Sequence, residues 1–170
     1  MASAGFGPPG DPAAVDQPWG HRRVGEAWVP VPPTPAGDNP PSLSPAGRAA
    51  MTLQDWGRFV TLHLGAPTLV PVPEGTPRPL LPLDALPRLQ TPVPGEEYVA
   101  GWGVARRPWS KGPVLTHSGS NTMWFCTCWL APTEGFAVLA VTNAAGETAP
   151  TACDQVAAAL IGLQRQRAAR

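Results

Sequence analysis

Over the first 97 residues the apolar positions follow neither a helical nor a strand period, with one exception. In "MTLQDWGRFVTLHL", Leu53, Trp56, Phe59, Val60 and Leu64 recur at helical spacing, predicting an amphipathic helix near 52–64. Thr52 can cap it, and Asp55, three residues on, completes a capping-box-like pair. A short helix is also expected near Asp84–Leu89. From Tyr98 the period changes. "YVAGWGVARR", "PVLTHS", "TMWFCTCWLA" and "FAVLAVTN" read as successive strands over 98–143, rich in β-branched and aromatic residues. "APTEGF" offers Pro132 and Gly135 for a tight turn, and connections this short predict an antiparallel meander. The last two strands are apolar on both faces: Met123, Phe125 and Trp129 alternate with Trp124, Cys126, Cys128 and Leu130. Strands of that kind need cover on both sides. A terminal helix over 149–165, periodic from Thr151 to Arg165, can supply one side through Cys153, Val156, Leu160 and Leu163. Only the 52–64 helix remains for the other side, which suggests that part of the fold is absent.

Proline explains the silence of the first half. Of 24 prolines, only Pro108, Pro113, Pro132 and Pro150 follow residue 95. Proline fixes φ and removes a backbone donor, so "WVPVPPTPAGDNPPSLSP" and "GAPTLVPVPEGTPRPLLP" should run as extended or turning chain. Trp19, Trp28, Leu80 and Leu81 are apolar anchors that a disordered linker lacks, so long loops laid over a domain surface are expected. At 170 residues the chain suits one domain, here read as a single incomplete one.

Charge and cysteine content narrow the function classes. Twelve basic and twelve acidic residues leave no net charge, which argues against nucleic acid or an anionic surface as a partner. Cys126, Cys128 and Cys153 are expected to be buried thiols, since no CxxC spacing supports a metal site and neighbouring strand positions suit a disulfide poorly. No cofactor is expected. No apolar run is long enough for a membrane span, and the N-terminal "MASAGFGPPGDPAAVDQPWGH" lacks the pattern of a signal peptide.

Candidate chemistry concentrates in "HSGSN", His117 to Asn121, where one strand ends and the next begins. Gly119 permits close backbone approach to a ligand, and Ser118, Ser120 and Asn121 supply hydroxyls and an amide. Taken alone, this is also an ordinary hairpin turn. Trp102, Trp109 and Trp124 either wall a substrate cleft near it, with Trp124, four residues after Ser120, the foremost contact, or pack under the missing part of the fold.

The order of segments adds to this. "GWGV", a hairpin, "HSGSN", an aromatic strand, "GFAVLAVTN" and a terminal helix together resemble the C-terminal part of the β-lactamase-related serine hydrolases. That family includes class C β-lactamases, penicillin-binding proteins, peptidases and esterases. Upstream, "SAGFGPPG", "QPWGH", "DNPPSLSPAGR" and "MTLQDWGRFV" are similar to the stretch following the family's middle motif, so the resemblance runs from Ser3 to about Leu163. It implies an α/β (α+β) sandwich of the β-lactamase/transpeptidase type. It also implies acyl-enzyme hydrolysis of a small-molecule ester, amide or peptide-like substrate. His117-Ser118-Gly119 match the family's Lys-Thr-Gly-like third motif, with His in place of Lys, a replacement that favours esterase or peptidase members. By resemblance, His117 and Ser118 face the substrate's carboxylate or leaving group, and the Ser120 backbone N–H is one oxyanion donor. Gly119, Asn121 and Trp124 complete the expected substrate contacts.

The first two motifs do not occur. Ser-x-x-Lys needs a serine three residues before a lysine, but Lys111 is the only lysine and Pro108 stands there. Tyr98 is the only tyrosine, and two residues on is Ala100 instead of Asn. Gly-x-Ser-x-Gly is also absent. Among the histidines, His63 is expected on the helix surface or as a satisfied core residue and His21 in loop packing. A Ser118–His21–Asp16 triad has nothing in the sequence to assemble it. The expectation is therefore a C-terminal half that is inactive alone. Such a half would be a truncated product, a mis-called start or one piece of a split gene. The alternative is a non-catalytic module that binds a peptide-like ligand at the sheet edge beside His117 or complements a separate N-terminal half.

Overall fold

The computed structural model describes residues 1–14, 16–65, 69–70, 78–79 and 81–170. In chain order the elements are β1 (Gly5–Phe6), β2 (Gly20–Val24), β3 (Ala27–Val31), α1 (Ser44–Gly47), β4 (Ala49–Ala50), α2 (Leu53–His63), β5 (Leu69–Val70), β6 (Arg78–Pro79) and α3 (Leu86–Gln90). The second half contains β7 (Tyr98–Val99), β8 (Trp102–Ala105), β9 (Val114–Ser120), β10 (Phe125–Ala131), β11 (Phe136–Thr142) and α4 (Ala149–Ala168). Strands β7 to β11 form one sheet in the order β11-β10-β9-β8-β7, a meander, and β1-β4, β2-β3 and β5-β6 are two-stranded ribbons. This is a mixed α/β architecture with a C-terminal helix. Much of the stretch from Gly65 to Pro82, including the anchor Leu80, lies outside the described residues.

The chain forms two compact units: Met1–Trp56 with Ser118–Cys128 and Val138–Arg170, and Gly57–His117 with Trp129–Ala137. In the first unit, the stretch expected to be loop contains the β2-β3 hairpin, with His21 opposite Pro30 and Arg23 opposite Trp28. Proline is tolerated at Pro30 because β3 is an edge strand of this two-stranded ribbon. Periodicity missed this hairpin because its strands bury almost nothing. From Gly20 to Val31 only Gly20 is buried.

The N-terminus of α2 carries its predicted cap in a modified form. The Asp55 N–H donates to Thr52 Oγ1 at 3.3 Å. The reciprocal bond passes through Ser3, whose Oγ accepts the Thr52 N–H at 3.1 Å and donates to Asp55 Oδ2 at 2.6 Å. Ser3 N–H also donates to that carboxylate at 2.8 Å. Ser3 thus completes the capping box and satisfies a carboxylate that is 2% exposed.

Helix α4 corrects the expected burial phase. Its buried positions are Ala149, Cys153, Ala157 and Ile161, while Val156, Leu160 and Leu163 are exposed. A four-residue stripe of mostly small side chains lets the helix backbone approach its neighbours closely, so packing selects that stripe over the bulkier one. The cysteines are free thiols, with Cys128 and Cys153 buried and Cys126 half-buried. Burial pushes the Cys126 thiol pKa up, a hydrogen bond with the Gly119 backbone opposes the shift, and neighbouring Cys153 adds to it.

In the second unit, Val60 and His63 form the buried face of α2, and Phe59 is partly exposed. The His63 ring lies edge-on between Phe59 and Trp102, with centroids 5.3 and 5.0 Å away. The helix therefore buries a polar ring where the apolar pattern placed Leu64. Strands β7 and β8 join through Ala100 and Gly101, at φ +47° and +90°. Two successive left-handed residues make the tight turn that matches strand twist. Trp109 packs on Trp129 and Phe136, and the Arg107 guanidinium lies 5.0 Å from the Trp129 ring centre. The β10-β11 turn includes Gly135 at φ +71°, and its Glu134 accepts from Ser110 Oγ and the Lys111 N–H.

His63 makes stability depend on pH. Its Nδ1 is buried without a hydrogen-bond partner among the described residues, and burial holds its pKa below the ordinary value of 6.5. Below pH 6.5 the unfolded chain takes up a proton that the folded chain refuses, so stability falls as pH drops through the window between the two pKa values. The slope there should approach, but not exceed, about 1.4 kcal/mol per pH unit. Urea melts at pH 5, 6 and 7 on the wild type and His63→Leu test this, because the variant should lose that component of the slope.

Candidate active site

The chemistry-bearing residues lie at the C-terminal end of β9, whose burial changes along its length. Val114 and Leu115 are buried, while His117, Ser118 and Ser120 are exposed. The strand is anchored at one end and presents polar groups at the other. β8 is in register with β9 over Val114–Thr116, and Ser118–Ser120 continue past that register.

In the second unit, His117 Nδ1 lies 3.5 Å from Tyr98 Oη, and both side chains are exposed. Gly103 stands opposite Tyr98 on β8, so no side chain of β8 fills that position.

In the first unit, Ser118 Oγ donates to Thr127 Oγ1 at 2.8 Å, and Thr127 is 4% exposed. In this state Ser118 offers a ligand lone pairs, its proton being directed inward. The Ser120 hydroxyl accepts the Thr122 N–H at 3.0 Å. Asn121 Oδ1 accepts from Met123 N–H at 3.2 Å and Trp124 N–H at 2.9 Å, and its Nδ2 donates to Asp38 Oδ1 at 3.3 Å. The side chain expected to meet substrate is therefore engaged within the protein. Gly119 has no atom within 4 Å of where a Cβ would stand, so its surface is open.

Trp124 is half-buried over Gly20, where an added Cβ would come within 2.6 Å of the indole nitrogen. It lines a small recess with Trp19, Gly20, Val31, Pro33 and Asn121. Trp102 and Trp109 do not wall a cleft. The first is 5% exposed against His63, and the second belongs to the Trp129–Phe136 cluster. His21 lies on β2 and not in a loop. Its N–H donates to the Asn143 carbonyl at 2.8 Å, and its Nδ1 lies 3.1 Å from the same oxygen, which requires the proton on Nδ1. His21 and Ser118 are thus each engaged with other groups.

Sequence reasoning missed Asp38 and Arg48. The Asp38 side chain, 3% exposed, pairs with Arg48 Nε at 3.1 Å and holds Asn121 from 83 residues away. The signal available was "DNPPSLSPAGR", a segment whose acidic and basic ends, Asp38 and Arg48, stand ten residues apart. Among the described residues no cluster of His, Cys, Asp and Glu could hold a metal ion, and no helix is long and apolar enough to cross a membrane.

A family model described as Beta-lactamase matches residues 1–162. No curated protein matches the chain.

Proposed function

The chain belongs to the β-lactamase family, and from that premise we propose that it is the substrate-binding and oxyanion-stabilising portion of a serine hydrolase. It acts on esters, amides or β-lactams, and the nucleophilic serine and its lysine base come from a separate segment. One observation carries this reading. The family match spans His117-Ser118-Gly119 on a sheet strand, yet no serine in the 170 residues stands three before a lysine.

In such a reaction the serine of the completing segment attacks the substrate carbonyl, and negative charge develops on the carbonyl oxygen. The Ser120 N–H at the end of β9 is held before that charge appears, so stabilising it needs no reorganisation. His117, beside the Tyr98 hydroxyl, faces the substrate's carboxylate or leaving group, Ser118 binds it from the same strand, and Gly119 admits its backbone. Trp124 supplies apolar contact. Histidine in place of lysine at the third motif favours ester or peptide substrates over β-lactams. Without an activated nucleophile, binding and oxyanion terms leave only about 10³-fold catalysis over water, so the chain is inactive for practical purposes when alone.

Incubation with a fluorophosphonate and a penicillin-type probe, followed by intact-mass analysis, tests this. The isolated chain should gain no adduct. A segment carrying Ser-x-x-Lys and Tyr-x-Asn should become labelled when mixed with it. A stoichiometric serine adduct on the isolated chain would overturn the reading. Binding of a peptide-like ligand, with no adduct even after mixing, would favour a non-catalytic binding module.

A further inference from the structure

We infer that Asp38 is a positioning residue for this site: acting through Asn121, it fixes the turn after β9 and with it the oxyanion donor at Ser120. The functional part of this inference rests on the hydrolase reading above.

Asp38 is an unusual residue to find beneath a surface turn. Its side chain is 3% exposed, and burying a carboxylate costs more than the pairing of a single oxygen returns. One oxygen, Oδ2, takes the Arg48 Nε–H at 3.1 Å. The other, Oδ1, takes the Asn121 amide at 3.3 Å. That second contact determines which way Asn121 faces. An ionised carboxylate only accepts, so the Asn121 NH₂ must point toward Asp38 and the amide oxygen must point the other way. The oxygen then meets the N–H groups of Met123 and Trp124, at 3.2 and 2.9 Å. If the side chain flipped, its NH₂ would face those two donors and both bonds would be lost.

The turn needs this support. Thr122 sits at φ +75°, a conformation that a β-branched residue adopts only when its surroundings impose it. Its N–H is held by Ser120 Oγ at 3.0 Å. Ser120 therefore contributes its side chain to the turn and its backbone N–H to the end of β9. Arg48 is fixed in turn by Ser44 Oγ at 3.0 Å. The chain Ser44–Arg48–Asp38–Asn121–turn thus runs from the Pro-rich segment to the candidate oxyanion donor, entirely within the first unit.

Asn121→Asp cuts the link while preserving both turn acceptors, because an aspartate oxygen can still receive the Met123 and Trp124 N–H groups but faces Asp38 with a carboxylate. The exchanged pair, Asp38→Asn with Asn121→Asp, restores a donor opposite an acceptor in the reverse sense. Amide hydrogen exchange on the full chain is the primary readout. In Asn121→Asp, the amides of Thr122, Met123 and Trp124 should exchange at least about tenfold faster, with β10 and α4 amides unchanged. The exchanged pair should bring them back toward wild type. In the chain mixed with a Ser-x-x-Lys segment, acylation by the penicillin-type probe should follow the same order. Its maximal rate should fall by up to about 100-fold and its half-saturation concentration should change little.

Wild-type exchange in Asn121→Asp, uniform loss of protection across the sheet, or failure of the exchanged pair to restore the turn would each overturn the inference. Acylation absent in every mixture, wild type included, with the local exchange pattern intact, would remove the hydrolase reading and leave the Asp38 support of the turn standing.

Discussion

Leu130→Ala is expected to destabilise the chain by about 2–5 kcal/mol, a large fraction of the roughly 5–15 kcal/mol that holds a domain together. Leu130 is 0% exposed on β10, which lies between β9 and β11 in the sheet. Thr127, Cys128, Leu130 and Ala131 are all buried, so this strand is covered on both faces. A strand hydrogen-bonded on both edges and packed on both faces cannot collapse into the space left by the missing carbons. Lost transfer energy and a residual cavity therefore add. The matched control is Leu163→Ala on α4, where the side chain is 53% exposed and the change should stay within about 0.5 kcal/mol. Urea unfolding followed by tryptophan fluorescence measures both. Equal costs at the two positions would mean that the outward face of α4 is covered in solution.

The contrast between these two leucines indicates what the sequence could and could not reveal. β10 was legible because six of its seven positions are apolar and the seventh, Thr127, is β-branched, a run that suits a strand buried on both faces. The helix at Leu53–His63 was legible through its period and its Thr52 cap. The phase of α4 was not. Val156, Leu160 and Leu163 look like a core stripe, yet the buried positions are Ala149, Cys153, Ala157 and Ile161, because close approach favours small side chains over large ones. Hydrophobicity ranks residues by size, whereas a tight interface selects against it.

The candidate site divides in the same way. His117 to Asn121 could be located from the order of strands around them, since a polar, glycine-containing end to an apolar strand is visible in one dimension. What holds that segment could not. Asp38 and Asn121 are 83 positions apart, and no local period links them. The only local trace was the density of proline around Asp38, which turns the chain but says nothing of where it turns to. The β2-β3 hairpin was hidden for a related reason: its strands are mostly exposed, so they carry no alternation of apolar and polar positions to read.

Arg48→Ala should cost about 3–5 kcal/mol, because it leaves a buried carboxylate without its cation. The Arg48 side chain is 15% exposed and that of Asp38 is 3% exposed, so water reaches neither well enough to replace the lost partner. The substitution leaves the backbone bond from Gly7 N–H to the Arg48 carbonyl in place, so the measured loss belongs to the guanidinium. The effect should also be asymmetric. Removing both charges, as Asp38→Leu with Arg48→Met, should recover most of the stability, since two apolar side chains need no mutual compensation. A double-mutant cycle by urea denaturation therefore separates two accounts of the pair. A large single-variant loss with recovery in the double means the charges are retained for what they orient. Among the described residues Asp38 also holds the Asn121 amide, which a leucine at that position cannot accept, so the turn amides should exchange fast in the double variant even though the fold is stable. A single-variant loss below about 1 kcal/mol would instead make the pair an ordinary solvated ion pair. The turn after β9 would then have to be held by Asn121 and Ser120 alone.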